Sequence, residues 1–169
     1  MILLKDAIDS GAWLEILYKY PGSFLAGPAE MTFRIKVKSF VKINLNELGE
    51  NEYQSTFYDE IKAKFLSKIG FEANVWKIDL DLVNMEKTEN SSLFIKQGIS
   101  LGDSEGYKFP VCTDTYIEQS PYGNKSGIKH FSDINFPPKI KKSGSYCFEL
   151  PEFFDDLYIS STAGSIKEV

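Results

Sequence analysis

Residues 31–46 alternate apolar and polar side chains almost without interruption. Met31, Phe33, Ile35, Val37, Val41, Ile43 and Leu45 hold odd positions; Thr32, Arg34, Lys36, Lys38, Lys42, Asn44 and Asn46 hold even ones. A period of two puts successive side chains on opposite faces of an extended strand. The stretch predicts the longest strand of the chain, buried on its odd face and open on its even face. Ser39 interrupts the odd set and Phe40 the even set. A bulge near Ser39-Phe40, or a second surface sheltering the Phe40 ring, would account for the break.

Other segments extend this sheet-based reading. Leu3, Leu4, Ala7 and Ile8 share one helical face within 2–10, and Gly11 supplies a stop. Residues 12–20 read as a strand buried largely on both faces, ended by Pro21-Gly22. Phe57, Ile61, Phe65 and Ile69 recur every fourth residue, so 56–69 is expected to be an amphipathic helix packed on the sheet and closed by Gly70. Trp76, Ile78, Leu80 and Leu82 alternate with Lys77, Asp79 and Asp81, which predicts a second strand. Residues 93–101 and 107–112 read as a hairpin around the turn 102–106. Glycines and prolines crowd 120–144, which reads as a long loop. Short strands are expected near 145–150 and 156–161, followed by a frayed tail.

These elements make a single β-rich α+β domain over 1–169: mainly antiparallel sheet or sandwich, helix 56–69 packed on it, and a short N-terminal helix. A right-handed parallel crossover through strand 31–46, helix 56–69 and strand 75–82 is the alternative. The many short C-terminal strands favour the antiparallel form.

Composition narrows the function classes. The net charge is −5, so general attraction to nucleic acid or anionic membrane is not built into the chain. Arg34 is the single arginine among 19 basic residues, which disfavours bidentate reading of bases or phosphates. Two cysteines are too few for a disulfide scaffold, the N-terminal residues lack an export-signal pattern, and no apolar run approaches membrane-spanning length. The expected location is cytoplasmic, or within a virion or secretion assembly. Aromatic residues reach 14%, an excess that suits strands and interfaces.

Candidate chemistry is sparse. Gly102-Asp103-Ser104-Glu105-Gly106 matches the spacing of a nucleophile elbow, and Ser104, Asp114 and His130 follow a serine–acid–histidine order. A strand is expected after this turn, however, where the elbow requires a helix, so a polar hairpin turn is the stronger reading. Cys112, His130, Cys147 and Asp133 match no compact zinc spacing. No catalytic set, resident metal or cofactor is expected. Trp13 and Trp76 sit in apolar strand patterns and read as core rather than as a sugar-stacking platform.

Two surfaces remain. The even face of 31–46 carries Arg34, Lys36, Lys38 and Lys42, a basic ladder of the kind that single-strand or polyanion binders use. Against it stand solubility, protection of a sheet edge, and pairing with Asp79 and Asp81 on a neighbouring strand. The second is 146–158, acidic and aromatic without a cation. Pro151 should interrupt a strand there and turn Phe153 or Phe154 outward beside Glu152, Asp155 and Asp156. The expected function is a non-enzymatic protein-binding module of inhibitor or immunity type, or a structural subunit of a phage or secretion assembly. Its partner would be a protein, with a basic surface, docking on Glu152–Asp156; nucleic acid and membrane are not expected, and oligomerisation is compatible with the pattern.

Overall fold

A computed structural model describes residues 1–22, 27–42, 74–111 and 135–169. Among them are eleven strands and two helices, arranged as an antiparallel β-sandwich. The five-stranded sheet is built from β2 (Leu14–Tyr20), β3 (Ala29–Lys42), β4 (Asn74–Asn84), β9 (Lys141–Leu150) and β11 (Gly164–Glu168), in the order β11-β2-β3-β4-β9. The four-stranded sheet is built from β1 (Ile2–Leu3), β6 (Ile99–Gly102), β7 (Lys108–Pro110) and β10 (Tyr158–Ser161), in the order β1-β10-β6-β7. A small pair, β5 (Asn90–Ser91) with β8 (Asn135–Phe136), lies beside them. The core joins Leu14, Ile16, Phe33 and Ile35 of one sheet to Leu101 and Ile159 of the other. Every named strand pairing is antiparallel, including β3 with β4, which corrects the parallel-crossover alternative.

β3 is the longest strand among the described residues, and Met31, Phe33, Ile35 and Val37 are buried as the alternation requires. The parity then reverses. Val37 lies opposite Leu80 but Ser39 lies opposite Asp79, so Lys38 is an extra residue in β3. One inserted residue rotates everything after it by half a period. Phe40 consequently faces Ile78 on the core side, while Val41 turns outward and is 46% exposed. This corrects the expectation that odd positions stay buried throughout. The bulge itself was expected, one residue further along. Residues 43–46 and helix 56–69 lie outside the described residues.

Helix α1 (Leu4–Ser10) buries Leu4 and Ala7 and joins β1 of one sheet to β2 of the other. It stops at Gly11, whose φ of 57° is the left-handed conformation in which glycine carries no Cβ penalty. β2 is buried on one face and only half-buried on the other, rather than buried on both.

Three local readings are corrected. Residues 93–98, expected to begin a hairpin strand, belong to helix α2 (Ser92–Gly98); the hairpin proper is β6–β7. A short apolar run fits either structure, and the surroundings decide. Here Gly98 brings the helix end against β2 and β3: a Cβ at Gly98 would lie 3.0 Å from the Phe33 ring and 3.1 Å from Tyr18 Cβ. Residues 141–144 are strand rather than loop, extending β9 along β4. The tail is not frayed, because β11 pairs with β2 from Gly164 opposite Tyr18 to Glu168 opposite Leu14.

A hydrogen-bond hub holds the turn after β4. Asn84 is fully buried; its Nδ2 donates to the Thr88 and Phe136 carbonyls, each at 2.8 Å. Its Oδ1 accepts from the Glu86 N–H at 2.9 Å and from Asn90 Nδ2 at 3.3 Å. One amide side chain thus satisfies four polar groups that burial would otherwise penalise.

Candidate functional site: an acidic-aromatic groove

The acidic-aromatic segment divides in three. Tyr146, Phe148 and Leu150 alternate inward on β9 and are core. Pro151, which has no N–H to extend a ladder, follows the last residue of β9. Residues 151–157 then cross the surface without regular structure until Leu157, which is buried, leads into β10. Within this crossing Phe153 is 84% exposed, and Glu152, Asp155 and Asp156 are exposed beside it. Phe154 turns the other way. It meets Trp76 edge-on, with ring centroids 5.4 Å apart and planes at 81°.

Phe154 is one wall of an open groove of about 330 Å³. Trp76 and Phe40 also line it, stacked on each other with centroids 4.8 Å apart and planes 16° from parallel. Leu4 and Ile8 of α1 form the facing wall, anchored where the Leu4 N–H donates to the Leu157 carbonyl at 2.8 Å. Asp155 and Asp156 line one side, and Asp9 and Lys5 the α1 side. The lining therefore carries three carboxylates against one ammonium. Trp76 Nε1 is buried without a hydrogen-bond partner among the described residues. Trp13 does not line the groove, so no paired-tryptophan platform forms there.

The basic ladder of β3 is tied to its neighbours. Arg34 donates through Nε and Nη2 to Glu15 Oε2 of β2, at 3.0 and 2.9 Å. Glu15 also meets Lys167 of β11 at 3.0 Å. Hydrogen bonds from Lys167 and then from Arg34 hold the Glu15 carboxyl below its ordinary pKa. Lys36 is half-buried, with its Cε and Nζ beside Gly11 at the C-terminal end of α1, where a cation is favoured by the helix dipole. Lys38 reaches Asp81 Oδ1 at 2.5 Å, and Lys141 lies 3.9 Å from the other oxygen. Lys42, expected on the same face, lies beyond the bulge and so shares the side of Phe40 rather than that of Arg34 and Lys36; it is exposed at the end of the described strand.

Asp79 and Asp81 anchor this face. Asp79 accepts from Ser145 at 2.5 Å and Ser39 at 2.7 Å, and pairs with Lys77 at 3.2 Å. Asp81 accepts from Ser143 as well as from Lys38. Burial pushes both carboxyls upward in pKa, but the hydroxyl and lysine partners outweigh it, and both end below their ordinary value.

Ser104 lies on an exposed turn that leads into β7, not into a helix. The Oδ1 of Asp103 accepts from the Glu105 and Tyr107 N–H groups, at 3.1 and 2.9 Å, which is turn chemistry rather than activation of a serine. Asp114 and His130 lie outside the described residues, as do Cys112 and Asp133; Cys147 is buried in β9. Among the described residues no group of three or more His, Cys, Asp or Glu could hold a metal ion, and no helix is long and apolar enough to cross a membrane.

The sequence signalled the exposed Phe153 through Pro151, but not the groove behind it. The groove needs three rings from β3, β4 and the crossing segment, and Phe40 joins them only because of the bulge. The adjacent parity violations at Ser39 and Phe40 were its one local signal.

No protein-family model matches the chain, and no curated protein matches it. Several solved structures are similar in outline. A conserved hypothetical protein from Bacillus anthracis has 11% identity over 94% of this chain and 97% of its own, with a TM-score of 0.47. A secreted protein from Mycobacterium tuberculosis has 10% identity over 82% and 84%, with a TM-score of 0.45. An uncharacterized β-sandwich protein from Clostridium difficile has 13% identity over 81% and 85%, with a TM-score of 0.38. At these values the likenesses assign neither a site nor a role to this chain.

Proposed function

We propose that this chain is a non-enzymatic protein-binding module that docks a basic protein surface through Glu152, Phe153, Phe154, Asp155 and Asp156. The observation that carries the reading is Phe153, 84% exposed among carboxylates in the crossing that Pro151 opens. An aromatic held in water gains apolar burial when a partner covers it, and aromatic anchors dominate the energy of many interfaces. The surrounding carboxylates steer a cationic partner and select against an anionic one. An inhibitor and a structural subunit would use such a surface in the same way. The pairing of Arg34 with Glu15 and of Lys38 with Asp81 lowers the charge that a polyanion would meet on the β3 ladder, which favours the acidic surface over the basic one.

The test is capture from the native host with a photo-crosslinking residue at position 153, compared with the Phe153→Ala chain. One polypeptide should be retained in fixed stoichiometry, and Phe153→Ala should weaken its binding by about 2 kcal/mol or more. Asp155→Lys with Asp156→Lys should slow association, most at low salt. Retention indifferent to all three changes would sink the proposal. Release by moderate salt together with loss on Lys36→Gln and Lys38→Gln would install the polyanion reading in its place.

A further inference from the structure

The groove beside Phe153 is a concave, aromatic-lined cleft with an excess of carboxylates at its rim, and that combination specifies the chemistry of what enters it. We propose that it receives a guanidinium side chain from a basic-apolar segment of the partner polypeptide, an assignment that rests on the protein-binding reading above. The volume of about 330 Å³ is suited to one or two side chains rather than to a helix laid along it. A guanidinium is planar and weakly hydrated, and it stacks on aromatic rings while its N–H groups fork onto carboxylates. Phe154 and Trp76, one face of which Phe40 already covers, supply the aromatic lining; Asp155, Asp156 and Asp9 supply the carboxylates, with Lys5 as the single opposing cation. An anionic side chain would meet three like charges there, and a neutral polar one would gain neither the stacking nor the ion pairs. The apolar wall of Leu4 and Ile8 accounts for the apolar neighbours required of the incoming segment. Phe153 and the groove then form a knob and a hole on one surface.

The test uses the full chain carrying Trp13→Phe, which leaves Trp76 as the single tryptophan of the two in the sequence. The probe is acetyl-Leu-Arg-Leu-Arg-Leu-amide, with the glutamine counterpart as control, followed by Trp76 fluorescence and by NMR shifts of Ile8, Phe40 and Phe154. Saturable binding of the arginine peptide is expected, about tenfold or more tighter than the glutamine peptide. Asp155→Asn with Asp156→Asn should weaken it about fivefold or more, and salt at about 0.5 M should weaken it further. Equal binding of the two peptides, shifts confined to another surface, or no saturation by about 5 mM would overturn the assignment. Phe153 is outside the groove lining, so Phe153→Ala should weaken capture of the host partner far more than it weakens peptide binding. If capture depends on Phe153 but neither capture nor peptide binding depends on Asp155 and Asp156, the groove assignment falls and the docking surface stands. If the peptide binds as expected but capture ignores Phe153, the docking surface falls and the groove stands.

Discussion

Phe40 lies flat on Trp76, with ring centroids 4.8 Å apart, because the extra residue Lys38 reverses the parity of β3 between Val37 and Ser39. The same reversal brings Ser39 outward to donate to Asp79 and lets Lys38 pair with Asp81. One inserted residue therefore builds the groove lining on one face of the sheet and completes a polar cluster on the other.

Deletion of Lys38 removes the extra residue but leaves Ser39 opposite Asp79 and Phe40 opposite Ile78, so the Phe40 ring should stay on the core side. The expected outcome is an unshifted tryptophan emission, with a modest fall in stability from loss of the Lys38–Asp81 pair. Phe40→Leu keeps most of the apolar area but loses the stack, and should cost about 1 kcal/mol in urea denaturation. A red-shifted emission in the Lys38 deletion would contradict the register assigned to the bulge.

Trp76 carries a buried N–H without a partner, so its two truncations should differ more than size alone predicts. Trp76→Ala removes both ring contacts and should cost about 3 kcal/mol. Trp76→Phe keeps a ring in the lining and removes the unsatisfied donor, and should cost less than about 1.5 kcal/mol. Equal losses in thermal unfolding would show that the indole N–H carries no penalty.

Asn84 answers four groups at once, two as donor and two as acceptor. Asn84→Ala should destabilise by about 3 kcal/mol or more, since each buried group left without a partner is worth about 1–3 kcal/mol. Asn84→Leu should fail equally, which separates lost hydrogen bonds from lost volume. Chemical denaturation of both variants is the check.

Asp79 and Asp81 have folded pKa values held below their ordinary one, the hydroxyl and lysine partners outweighing burial. A depressed carboxyl contributes stability that is complete above its unfolded pKa, near 3.8, and is lost as pH falls through the lower folded value. Stability should therefore drop below about pH 4, and Asp79→Asn with Asp81→Asn should flatten that drop while lowering stability at neutral pH. Denaturation midpoints at pH 7 and near pH 3 decide it. Parallel pH profiles for parent and variant would refute the linkage.

Gly164 opens β11 at φ of 143°, and a Cβ there would meet the Leu17 carbonyl oxygen at 2.0 Å. Gly164→Ala should cost more than about 1 kcal/mol and free the last strand first. Amide exchange should accelerate across 164–168 before it does so in β3 or β4, whose pairings lie further inside the sheet.

Much of the architecture follows from local pattern. Alternation in 31–42 and 75–82 requires strands with one buried face, Gly11 ends α1, and Pro151 ends β9 and leaves Phe153 in water. These features depend on side-chain period and backbone restriction, which neighbours in sequence set by themselves. Tertiary structure decided the rest. The run 93–98 is helical because Gly98 lets it close on Phe33 and Tyr18, and the tail is a strand because β2 offers an edge to pair with. Arg34 and Lys38 look like an open basic ladder in sequence, yet Glu15 and Asp81 stand beside them only after β2, β3 and β4 align. The groove depends most on long-range register. Phe40, Trp76 and Phe154 are far apart in the chain, and a shift of one residue in β3 decides whether they meet, because a strand's side chains change face at every step.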